Sequence, residues 1–151
     1  MSAKVSPVES HQSISWPYLI AAIVSLIGLG DAIYLTVQDI TGQTLRCTIV
    51  SGCNEVLSSP YAHIGSFPLA ALGAVAYFTV FSLSVLAAFR YPLAKSLLAT
   101  LLAGMFLTTL WLLYLQAFVI HHFCQYCLLS AAVTTILTAI VWGSLIVKRH
   151  A

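Results

Sequence analysis

Four long apolar stretches dominate the chain, at about 16–37, 67–89, 97–120 and 124–147. Polar residues inside them are few and do not alternate with a period of two. Each stretch is close to the ~20 residues a helix needs to cross the hydrocarbon core of a bilayer. Backbone in lipid must satisfy its own hydrogen bonds, which leaves helices or closed barrels. Unbroken apolar runs select helices. Trp16, Tyr18, Tyr91 and Trp142 stand near the borders, where interfacial aromatic anchors belong. Arg90-Tyr91-Pro92-Leu93 joins the second stretch to the third, and His121-His122-Phe123 joins the third to the fourth. Short connections between antiparallel helices predict a compact bundle. The expected fold class is an all-α integral membrane protein, one four-transmembrane-helix domain over 1–151.

One polar loop is long, at about 38–66. Within it Ser51-Gly52 precedes Cys53-Asn54-Glu55-Val56-Leu57-Ser58-Ser59, and Pro60 follows. This predicts a short half-helix whose Val56 and Leu57 cap the mouth of the bundle. Gly28 and Gly104 are expected at helix-packing contacts, where small residues let backbones approach.

Composition agrees with a lipid solvent. The chain of 151 residues is 60% hydrophobic and 7% charged, against roughly 25% charge in a soluble domain. Mean hydropathy is +0.98. The six basic residues are dispersed, with no patch suited to nucleic acid. The first apolar run is too long for the core of a cleavable signal, so it reads as a membrane helix that also directs insertion. With four spans, Lys4, Arg90, Lys95, Lys148 and Arg149 share one side and Arg46 stands alone on the other. The basic excess predicts that this first side is cytoplasmic, and the expected location is the plasma membrane. The long loop and the His121–Phe123 turn then face outward. All four cysteines, Cys47, Cys53, Cys124 and Cys127, fall in or beside an oxidising compartment.

Cys124-Gln125-Tyr126-Cys127 opens the fourth span. A helix N-terminus carries partial positive charge and favours a thiolate. Thiol–disulfide exchange needs an attacking thiolate, a disulfide and a second cysteine to resolve the mixed intermediate. Two pairs on one side provide a relay between a partner protein and a membrane-embedded electron carrier. The bland alternatives are a static bridge or packing cysteines at Cys124 and Cys127, and a stabilising loop disulfide at Cys47 and Cys53. A membrane metal-binding or transport protein is the alternative of another class, with His121 and His122 joining the cysteines as soft ligands. Interfacial polar histidines are the plainer reading, and no metal site is assigned. Asp31, inside the first span, is costly in lipid and is expected to face the interior or the interface. Tyr34, one turn later, is expected on the same face, and both are candidate cofactor contacts near the redox site.

These residues together resemble the vitamin K epoxide reductase family in its bacterial form, over nearly the whole chain. The resemblance is carried by Gly30-Asp31-Ala32-Ile33-Tyr34-Leu35-Thr36, by Cys47-x5-Cys53-Asn54-Glu55-Val56-Leu57-Ser58-Ser59, by Pro68-Leu69-Ala70-Ala71-Leu72-Gly73 and by Phe123-Cys124-Gln125-Tyr126-Cys127. It implies a four-helix bundle around a quinone of ubiquinone or menaquinone type, capped by a half-helix. It implies that Cys124 and Cys127 are the active-site pair, with Cys127 nearest the quinone ring. Cys53 would exchange with Cys124, and Cys47 would resolve with Cys53. Ser59 matches the family's serine beside the quinone. Leu69 and Ala131 stand where the vertebrate enzyme has an asparagine and a tyrosine, so plain quinone is the expected substrate rather than an epoxide. Many bacterial members carry a fused thioredoxin-like domain. Here the expected partner is a separate thioredoxin-like disulfide oxidase, and the expected outcome is disulfide formation in that oxidase's substrates.

Overall fold

The structure, a computed structural model, describes residues 15–150. Lys4, which contributes to the charge asymmetry, lies outside them. The first helix, α1, runs Trp16–Thr41. It extends past the apolar run because Gln38, Asp39 and Thr41 are polar without being helix breakers. Gly42 stops it in the left-handed region, φ 64°. There the Gly42 and Gln43 N–H groups close onto the carbonyls of Asp39 and Gln38, at 3.3 and 3.2 Å.

The loop that follows contains α2, Cys53–Leu57, and a 3-10 turn at Pro60–Ala62. The expected half-helix is therefore present, two residues shorter. A small antiparallel hairpin then pairs β1, His63–Ile64, with β2, Phe67–Pro68. Strands of two residues leave no alternation in a sequence, so nothing in the pattern announces them. Pro68 leads into α3, Leu69–Ala88.

The next helix, α4, spans Pro92–Tyr114, starting about five residues earlier than the apolar pattern suggests. Lys95 and Ser96 hide its first turn from a hydropathy reading, but proline near a helix start is favourable and a lysine at a membrane border extends its head to water. A π-helical turn, Leu115–Ile120, continues α4. The last helix, α5, runs Gln125–His150. It carries Lys148, Arg149 and His150 in its final turn, where cations complement the helix dipole.

Among the described residues four helices are long and apolar enough to cross a membrane: α1, α3, α4 with its π turn, and α5. Helix α1 packs against α3 and α5, and α4 packs against the same two, so the four close into a ring. Tyr18, Tyr77, Leu98, Leu102, Leu137 and Val141 fill its core, whereas Ile20, Ile23, Ile27, Phe78 and Leu107 point outward, as a lipid solvent permits. Gly28 permits the closest of these contacts. A Cβ there would collide with the Tyr77 ring. Gly104 does not serve packing as expected: nothing lies within 4 Å of its would-be Cβ, and it lines a cavity instead.

The two ends of the ring differ in chemistry. At one end Lys95 and Lys148 approach the Tyr18 ring, at 5.8 and 5.5 Å from its centroid. At the other end lie the cysteines.

Candidate functional site

Cys47 and Cys53 form a disulfide, with Cα atoms 6.3 Å apart. Cys124 and Cys127 are free thiols. Cys53 and Cys124 are both fully buried and share one small cluster with Leu35, Leu45 and Val56. Cys47 and Cys127 are partly exposed. The inner member of each pair is thus enclosed, and the outer members open in different directions. Cys127 opens onto the membrane cavity, while Cys47 sits in the loop.

Gly52 permits this approach between the loop and α5. A Cβ at Gly52 would stand 2.8 Å from the His122 Cβ and 2.8 Å from the Phe123 oxygen. Any larger residue would push Cys53 away from the turn that precedes Cys124. The two residues between Cys124 and Cys127 hold the loop from the other side. The Gln125 side-chain oxygen accepts the backbone N–H groups of Thr48, at 3.2 Å, and Ile49, at 3.0 Å. The Tyr126 hydroxyl donates to the Arg46 carbonyl at 3.2 Å. Together they grip the backbone on both sides of Cys47.

Gln116, buried in the π turn, serves the other pair. Its side-chain oxygen accepts the Cys124 N–H at 3.2 Å, and it shares the wall of the membrane cavity with Cys127. A hydrogen bond from the Cys127 thiol, joined by the backbone N–H groups of Cys127 and Tyr126, outweighs burial and holds the Cys124 thiol down at about 7. A thiol lowered in this way forms its thiolate readily and leaves readily from a mixed disulfide.

A cavity of about 640 Å³ lies among α1, α3, α4 and α5. Ala32, Leu35, Leu69, Leu101, Met105 and Ile120 give it an apolar wall, with α2 and the 3-10 turn contributing Leu57 and Tyr61 at its mouth. Its polar features are few, as in pockets that orient a ligand with a handful of groups. They include Cys127, Asp31, Ser59, Gln116 and the hydroxyls of Tyr77, Ser130 and Thr134. The Tyr77 hydroxyl lies 2.8 Å from Ser130 Oγ and 2.9 Å from Thr134 Oγ1, and it donates to the Ser130 carbonyl at 3.0 Å. Ser59 donates to the Val56 carbonyl at 2.7 Å, which leaves its oxygen free to accept. An apolar slot with a thiol in its wall suits a flat, apolar redox carrier.

The structure places Asp31, Ser59, Leu69, Cys127 and Ala131 around this cavity. It does not place Tyr34 there. Tyr34 is 39% exposed, its ring 5.2 Å from that of Tyr126, and its hydroxyl accepts from Gln38 Nε2 at 3.0 Å. A step of three residues turns a helix about 60° short of a full circle, which is enough to carry Tyr34 off the interior face that holds Asp31. Tyr34 buttresses Tyr126, and through it the cysteine loop.

His121 and His122 are exposed. Among the described residues no three His, Cys, Asp or Glu side chains are grouped to hold a metal ion. Gln116, Gln125, Gly52 and Tyr77 are the site residues that sequence reasoning passes over. For Gln116 the signal was available, since a buried amide in a lipid-spanning run is costly unless satisfied.

Residues 19–142 match the model of the Vitamin K epoxide reductase family. That match takes in α1, the cysteine loop, α3, α4 and most of α5, and so every residue of the site. The four-helix membrane bundle, the disulfide above a C-x-x-C thiol pair and this match agree: the chain belongs to the vitamin K epoxide reductase family and is a multi-pass membrane thiol–disulfide oxidoreductase.

Proposed function

We propose that the protein is a quinone-dependent oxidoreductase of the plasma membrane that reoxidises a thioredoxin-like partner outside the cytoplasm. The observation that carries this reading is the arrangement of the four sulfurs. Cys53 and Cys124 are buried together, and Cys127 lines the apolar cavity. A quinone of ubiquinone or menaquinone type fits that cavity by its apolar wall and few polar groups. When bound, it supplies an acceptor for two electrons and two protons.

The chain's own steps follow thiol exchange chemistry. A partner dithiol attacks the Cys47–Cys53 disulfide at the accessible Cys47 and leaves both cysteines reduced. The Cys53 thiolate then attacks Cys124 of an oxidised Cys124–Cys127 pair, forming a Cys53–Cys124 disulfide and releasing Cys127. Cys47 attacks Cys53, restores the Cys47–Cys53 disulfide and releases Cys124. The sequence ends with the Cys47–Cys53 disulfide restored and Cys124 and Cys127 as thiols. The Cys124–Cys127 pair is then ready to give up its electrons.

Purified protein in liposomes, given a reduced thioredoxin-like protein and a quinone, tests the reading. Wild type should consume quinone and oxidise its partner. Cys127→Ala should stop quinone consumption, and Cys47→Ala, which removes the thiol that resolves the mixed intermediate, should accumulate a Cys53–Cys124 disulfide. No quinone consumption with any dithiol donor would sink the proposal, and stoichiometric bound metal would favour the metal-binding alternative. Orientation has its own test. A membrane-impermeant thiol reagent should label intact, reduced cells, and labelling only after lysis would reverse the topology.

A further inference from the structure

We propose that Asp31 is the proton-transfer group of the cavity, holding on its carboxyl a proton that moves as Cys124 and Cys127 are oxidised. The proposal rests on the quinone reading above and assigns a role within it. Asp31 lies in α1 and is 8% exposed. Both carboxyl oxygens are buried, and neither has a hydrogen-bond partner among the described residues. An unpaired carboxyl within a membrane span is costly, and ionisable residues in such places commonly serve proton or ion transfer. This one faces the same cavity as Cys127.

The other ionisable groups around the cavity are engaged or peripheral. On α1, Asp39 pairs with His63 at 3.0 Å. On α3, the Tyr77 hydroxyl is held by Ser130 and Thr134. Tyr61, on the 3-10 turn, is half exposed at the mouth. On α5 the ionisable wall residue is Cys127, with Cys124 beside it. Helix α4 contributes only apolar residues and threonines, with Gln116 following in the π turn. Among the described residues no lysine, arginine or histidine lines the space.

Oxidation of the Cys124–Cys127 dithiol breaks two S–H bonds, forms one S–S bond, and releases two electrons and two protons. A bound quinone would supply the acceptor for both electrons and both protons. The electrons depart beside Cys127. The protons need a carrier across a largely apolar wall, and Asp31 is the buried group with both oxygens free to carry one. Over a full cycle Asp31 returns to its starting state, so atoms and electrons balance without a further reactant.

The test uses the full chain in liposomes, with Asp31→Asn as the isosteric variant and Asp31→Glu as the conservative one. Asp31→Asn should bind quinone within about twofold of wild type, while single-turnover oxidation of its dithiol slows about a hundredfold, the scale of general acid–base catalysis. Asp31→Glu should recover most of that loss. Redox-difference infrared spectra should show a carboxyl band that responds to dithiol oxidation in wild type and is missing from Asp31→Asn. Wild-type rates in Asp31→Asn, or a variant that loses binding and rate together while the wild-type spectrum shows no responding carboxyl, would overturn the assignment. Failure of the wild type itself to pass electrons to quinone would overturn the underlying reading and this one with it.

Discussion

The side-chain oxygen of Gln116 accepts the backbone N–H of Cys124 at 3.2 Å, so a residue on the π turn after α4 fixes the start of α5. The N–H groups of a helix's first turn have no partner within the helix, and here one of them is buried. Gln116→Ala would leave it unsatisfied, at a cost of about 1–3 kcal/mol. Thermal unfolding in detergent should shift down by several degrees. Gln116→Glu keeps an oxygen for the Cys124 N–H but puts a carboxyl on the cavity wall it shares with Cys127, so it should melt closer to wild type than Gln116→Ala while still slowing turnover. Equal melting and equal turnover in wild type and both variants would show that the contact is dispensable.

Gln125 and Tyr126 predict a different defect. They grip the loop on both sides of Cys47 without touching the cavity. Each hydrogen bond contributes about 0.5–1.5 kcal/mol, so Gln125→Leu combined with Tyr126→Phe should loosen the loop without unfolding the bundle. Partner-driven turnover should fall about tenfold or more, with quinone binding unchanged. Unaltered turnover would mean that the loop holds its position through the disulfide and Gly52 alone.

The Cys124 thiol, held at about 7, sets a pH dependence. A free cysteine titrates near ~8.5, so Cys124 exists as thiolate over a range where an ordinary thiol is protonated. Ultraviolet titration of the thiolate in protein with the outer disulfide intact should show a midpoint near 7. Below that midpoint the Cys124 thiolate is lost, and alkylation of Cys124 by a thiol reagent should slow about tenfold per pH unit. Cys127→Ala removes the largest cause of the depression, so its midpoint should move upward. A midpoint that does not respond to Cys127→Ala would assign the effect to the helix start instead.

Substrate choice follows from the cavity wall. Leu69 and Ala131 line it where the vertebrate enzyme is expected to have an asparagine and a tyrosine. Preorganised donors stabilise charge that develops on an oxygen in the transition state, and these two side chains donate nothing. A small dithiol should therefore drive quinone reduction and little epoxide reduction. Comparable rates on a quinone and its epoxide would assign the missing contact to another polar wall residue such as Gln116 or Ser130.

Membrane architecture was legible in the sequence because lipid imposes a one-dimensional rule. About twenty apolar residues span the core whatever they pack against, so four runs define four helices. The parity of the spans then puts all four cysteines at one end. The short half-helix was legible for a similar local reason, since Gly52 and Pro60 punctuate it. Helix boundaries were less so, because Gln38, Asp39 and Lys95 are compatible with helix and with loop until packing decides.

What only the tertiary structure decided is which side chains meet. Rotation about a helix axis is set by packing, and α1 turns Asp31 inward while leaving Tyr34 outside. Gln116 bonds to a residue eight positions later, and Gln125 to residues 77 and 76 positions earlier. Periodicity carries no record of such pairings. The cavity itself is the space left between four helices, a property of their mutual positions and of no single segment.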